Sequence, residues 1–112
     1  MLIGVSYEDG KVFEHVGDTE QFKVYEVENG SVTGTELCEA KGTGREMVVE
    51  FVMQHGIDVL ICGRICDGAK EAVEQAGAEV FGCVEGEADE AVQAYLEECL
   101  VNCGTAVCEH HS

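Results

Sequence analysis

Positive charge is scarce in this chain. Six Lys and Arg stand against 23 Asp and Glu, a formal net charge of -17 over 112 residues. That balance excludes nucleic acid as a partner, because binding it requires a basic footprint. Its ordinary meaning is a solvated, repulsive surface. Long apolar runs are missing as well. No stretch approaches the ~18 residues of a membrane-spanning helix. Met1 leads straight into a strand pattern with no signal peptide, so a cytoplasmic protein without membrane contact is expected. Catalytic patterns are also absent: no phosphate loop, no dinucleotide fingerprint and no Cys–His–Asp order. A two-metal nuclease needs grouped carboxylates, and the first strand pattern, Leu2 to Tyr7, carries none. The chain does not read as an enzyme.

What is present is one domain's worth of sequence with seven cysteines, an odd number. Without a secretion signal, thiol or metal chemistry is a better expectation than a disulfide framework. The stretch that organises the rest is Ile57 to Gly77. Ile57, Val59, Leu60 and Ile61 form an apolar run with Asp58 inside it, suited to a short strand buried on both faces. Gly63 and Gly68 punctuate a turn, Asp67 is placed to cap a helix, and Ala69, Ala72, Val73 and Ala76 give that helix one apolar stripe. Gly77 stops it. Cys62 and Cys66 sit in the loop between strand and helix.

Upstream, Leu2–Tyr7 reads as a strand, Val12–Asp18 as irregular, and Gln21–Glu28 as a second strand. Asn29-Gly30 is a hairpin signal, so Ser31–Leu37 returns antiparallel and Cys38 closes it. Thr43 with Glu46 makes a capping box for a helix carrying Met47, Val48, Phe51 and Val52, which Gly56 ends. Downstream, Glu79–Gly82 is a fifth strand, and Ala88 to Leu100 a third helix. Residues 1–100 thus read as a single domain. Residues 101–112 read as a short tail rich in possible ligands: Cys103, Cys108, His110 and His111.

Hairpins followed by alternating helices and strands imply an α/β fold, a mixed five-stranded sheet with three helices. Ligands in such sheets gather at the carboxyl ends of the parallel strands. There the loops at 38–46 and 62–68 converge with the turn at 82–86, and the first two bring Lys41, Arg45, Arg64 and Lys70, four of the six basic residues. Glycine turns at helix starts add free N–H groups, and a basic, glycine-rich mouth in so acidic a chain points to an anionic guest. Cys66, at a helix start near Arg64, sits where a thiolate, the form that binds metal, is favoured. Cys62 is a candidate ligand too, or a small buried hydrophobe. Cys103 and its neighbours can bind metal through the tail.

Several segments, in order, resemble one family. They are Glu14-His15-Val16-Gly17, Phe22 with Tyr25, Val27–Gly30, Asp58–Gly63, Ala76–Val80 and Glu90–Leu96. The chain is thereby similar, over about residues 1–100, to the dinitrogenase iron–molybdenum cofactor biosynthesis family. The resemblance implies a ribonuclease H-like fold without ribonuclease activity. It also implies a carrier of anionic iron–molybdenum or iron–sulfur clusters that receives them from donor proteins and delivers them to acceptors. The histidine of the E-H-x-G turn, implicated in binding there, maps onto His15, with Gly17 in the same turn. The chain departs from the family's G-G-x-G loop, having Gly63-Arg64-Ile65-Cys66. The expected cofactor-binding set is His15, Gly17, Gly63, Arg64, Cys66 and Arg45, with His15, Cys62, Cys66 and Cys103 as metal ligands. Two other readings remain: a thiol-redox domain using Cys62/Cys66 or Cys99/Cys103, or a small zinc-binding protein.

Overall fold

A computed structural model describes residues 1–40, 42 and 44–97. In chain order the elements are β1 (Leu2–Glu8), β2 (Lys11–Val12), a 3-10 turn (Val16–Asp18), β3 (Gln21–Glu28), β4 (Ser31–Glu39), α1 (Gly44–His55), β5 (Val59–Ile61), α2 (Asp67–Gln75), β6 (Glu79–Phe81) and α3 (Ala88–Leu96). They form one mixed sheet, ordered β4-β3-β1-β5-β6, with β2 paired to β1 off that path. β1, β5 and β6 run parallel, while β3 and β4 are antiparallel to their neighbours.

Strand periodicity decides which layer each side chain joins. Phe22, Val24 and Leu60 face α1 and α2, packing with Met47, Val48, Phe51 and Val73. Ile3, Val5, Tyr25, Val27, Val59 and Ile61 face α3, packing with Ala88, Ala91 and Val92. The central strands are therefore buried on both sides, which explains the apolar run of β5, while the edge strand β4 stays largely exposed. Asp58, the acid in that run, clips the edge of β1: its carboxylate accepts the Leu2 N–H at 2.8 Å, and its own N–H donates to the Leu2 carbonyl. Phe51 stacks on Phe22 with centroids 3.9 Å apart. The stack lies over Gly4, where a Cβ would come within 2.8 Å of the Phe51 ring.

Three expectations are corrected. The sheet has six strands rather than five, because Lys11–Val12, read as turn and irregular chain, pairs with β1. A two-residue strand is too short to show a period. Cys38 lies within β4 rather than closing it. Asp67 does not cap α2: it is the first helical residue, and Cys66 holds the N-cap position with no side-chain cap bond. The expected stops at Gly56 and Gly77 both have positive φ, 65° and 103°. Thr43, Lys41, Cys99, Cys103, Cys108, His110 and His111 lie outside the described residues.

Candidate functional site

Past the carboxyl end of β5 the chain reads Cys62-Gly63-Arg64-Ile65-Cys66 and enters α2. Alongside it, in parallel, runs Glu14-His15-Val16, with His15 bridged to Arg64. The Arg64 N–H donates to the Glu14 carbonyl, and the Val16 N–H donates back to the Arg64 carbonyl at 3.2 Å. This pairing requires glycine at 63, where a Cβ would lie 2.7 Å from the Glu14 Cα, inside contact distance. The glycine is needed for close approach of two backbones.

The pairing presents two cationic or basic side chains together. His15 is half exposed and Arg64 about three-quarters exposed, and the Glu14 carboxylate stands 4.0 Å from His15 Nε2 and 3.9 Å from Arg64 Nε. At such exposure these pairs are loose and readily exchanged for another anion. Gly17, in the 3-10 turn, packs against the start of α1, 3.6 Å from the Gly44 Cα if given a Cβ. Arg45 follows Gly44. One of its guanidinium nitrogens lies within 3.0 Å of the position of a Cβ on Gly68, so Arg45 covers the first turn of α2. Five of the six expected cofactor-binding residues thus stand on three adjoining segments, and Cys66 is exposed at the N-cap between Arg64 and α2.

Cys62 stands apart. It has no exposed surface and belongs to the core against α1 and α2, and burial pushes its thiol up to about 12. Its place is that of an apolar packing residue rather than a ligand at the mouth. Cys62 and Cys66 are both free thiols, one buried and one exposed. Among the described residues, no three His, Cys, Asp or Glu side chains are grouped to hold a metal ion.

The turn at 82–86, expected from topology at this mouth, forms the other wall of the region, together with Lys11 and Val12, which sequence reasoning missed. A groove of about 460 Å³ is lined by Lys11, Val12, Glu14, Gly63, Arg64 and residues 83–86. Cys83, in the left-handed region at φ 59°, is tied down by its N–H to the Gly63 carbonyl at 2.7 Å. Lys11 reaches the groove only because β2 folds back on β1, a placement no local motif announces.

Residues 1–98 match the family described as dinitrogenase iron-molybdenum cofactor. The chain belongs to that family. A relative within reach is an uncharacterized protein of Methanocaldococcus jannaschii, 24% identical over 103 residues that cover 87% of this chain and 86% of the relative. The apo form of the orange protein from Desulfovibrio gigas superposes with a TM-score of 0.79 at 22% identity, covering 92% of each chain. A Thermotoga protein superposes with a TM-score of 0.69 at 26% identity, over 93% of this chain and 94% of its own. The likeness to the orange protein establishes the shared fold. Membership in the dinitrogenase iron-molybdenum cofactor family associates the chain with metallocluster chemistry. Among the described residues no helix is long and apolar enough to cross a membrane.

Proposed function

We propose that this protein is a non-catalytic carrier of an anionic, sulfur-containing metallocluster, of the iron–molybdenum or iron–sulfur kind. It would take the cluster from a donor protein and hand it to an acceptor in the cytoplasm. The observation that carries this reading is the locked pairing of Glu14–Val16 against Gly63–Arg64, which offers His15 and Arg64 side by side in a chain otherwise rich in acid. Family membership over residues 1–98 supports the choice of cargo. The strand order and three helices are compatible with the ribonuclease H-like arrangement that the resemblance implies.

The roles follow from residue chemistry. His15 nitrogen and Cys66 sulfur are suited to iron, copper or molybdenum in a sulfide cluster. Arg64 offsets the charge of the cargo, Gly63 lets the segment that carries His15 pair beside it, and Gly17 lets the same turn pack on the start of α1. Ligation by few protein atoms suits a carrier, since cargo held by many bonds leaves slowly. The test is anaerobic reconstitution with iron and sulfide, with and without molybdate, followed by absorption spectra and metal analysis after desalting. Wild-type protein is expected to retain a stoichiometric coloured cluster, and the double variant His15→Ala, Cys66→Ala to lose it. A colourless wild type, or unchanged uptake by the double variant, overturns the reading.

A further inference from the structure

The basic residues around the mouth do not open onto one cavity. Arg64 lines the groove shared with Lys11 and residues 83–86. Arg45 lines a different groove, between α1 and α2, with Val49, Met53 and Ala72. We propose that the cargo seats in the first of these, against Gly63, with Lys11 and Arg64 as its two cations. This inference rests on the carrier reading above and names where, and by what, the cargo is held.

Three observations carry it. The groove is preformed. Cys83 N–H bonds the Gly63 carbonyl, Val84 N–H the Cys62 carbonyl at 3.0 Å, and Val12 N–H the Gly86 carbonyl at 2.9 Å. Each wall is thereby fixed to the floor or to the opposite wall, so little ordering cost attends binding. Its volume, about 460 Å³, lies within the range of small-molecule sites. Finally, Lys11 makes no ion pair among the described residues, although the chain holds 23 Asp and Glu. Its backbone is held on both sides, paired with Glu8 of β1 and bridged to Glu87.

The chemistry of the lining selects the guest. An ammonium supplies a compact charge with three donors, and a guanidinium a planar fork, a combination suited to a multiply charged anion. Glu14 and Glu85 line the same groove and offset the two cations, so a guest is held by short direct bonds to the ammonium and guanidinium rather than by net charge. A compact thiometallate or sulfide cluster, with several acceptor atoms able to bond both cations at once, meets that requirement.

The test is equilibrium dialysis against tetrathiomolybdate at 0.15 M salt, where exposed charges beyond about 8 Å are screened. Four proteins are compared: wild type, Lys11→Glu, Lys11→Arg and Lys70→Glu. Lys70 lies on α2 and outside this groove, and its substitution changes total charge equally. Lys11→Glu is expected to weaken binding about tenfold or more, an effect of about 1.4 kcal/mol or more. Lys11→Arg and Lys70→Glu should each stay within a few fold of wild type. Equal affinities for Lys11→Glu and Lys70→Glu overturn the seat and leave the carrier reading standing. Absence of binding by the wild type overturns both.

Discussion

Gly63 shows how much of this molecule depends on one missing side chain. A methyl group there would meet the Glu14 backbone at 2.7 Å and force the two segments apart. Gly63→Ala is expected to cost about 1–3 kcal/mol of stability, as overpacking does, read from urea unfolding. On the carrier reading it should also abolish retention of cargo, because His15 and Arg64 lose their common frame. A stability unchanged within about 0.5 kcal/mol, the range of ordinary surface substitutions, would mean that the pairing gives way without cost. Lys11 is the contrasting case, a residue whose local sequence looks like an ordinary turn and whose meaning comes from where the turn folds.

At the scale of elements, α3 is held to the sheet by a polar clamp as well as by its apolar stripe. The Tyr25 hydroxyl donates to Asp89 Oδ1 at 2.5 Å, and Lys23 Nζ donates to the same oxygen at 3.1 Å. Lys23 also lies 5.0 Å from the Tyr25 ring centroid. The Tyr25 hydrogen bond, then that of Lys23, holds the Asp89 carboxyl below its ordinary value, against the opposing effect of its slight burial. Tyr25→Phe keeps the packing and the Lys23 bond and removes the hydroxyl half of the clamp. It should cost about 1 kcal/mol, the net worth of one hydrogen bond, and hasten hydrogen exchange in α3 more than in α1. Uniform acceleration in both helices would show that the clamp does not act on α3 in particular. Elements with their own signal were legible in the sequence: the Asn29-Gly30 hairpin, the stripe of α1 and the βαβ unit around β5. What local pattern left unread was made by distant partners. β2 exists because β1 accepts it, and Cys66 rather than Asp67 occupies the cap because of where α2 begins. Of the site, the loops at 38–46 and 62–68 and the turn at 82–86 could be placed at one mouth from topology, whereas His15 joined them only through the family resemblance. Lys11 could not, since the two-residue strand that carries it shows no motif and no period.

The whole molecule has a definite response to alkali. Burial pushes the Cys62 thiol up from 9.0 to about 12, and burial also raises the Tyr25 and Tyr95 hydroxyls. A group whose folded value is raised holds its proton in the native state after the unfolded chain has released it. Its stabilisation is complete below the unfolded value and is lost as pH rises toward the folded one. Stability should therefore hold to about pH 8.5 and then decline, with Cys62 alone contributing up to about 1.4 kcal/mol per pH unit between about 9 and 12. Denaturant melts from pH 7 to 10 check this, and Cys62→Ala should flatten the early part of the decline. A wild-type profile level to pH 10 would refute it.

The bonds that shape the groove join Glu14 to Arg64, Gly63 to Cys83 and Val12 to Gly86, segments from the beginning, middle and end of the described chain. Contacts so distant in sequence form late, after the intervening loops have closed. No partly synthesised or half-collapsed chain has a seat to offer. Under the carrier reading proposed above, a reactive cluster would be accepted only by finished molecules, so the timing of assembly itself would protect the cargo from being stranded on a chain unable to deliver it.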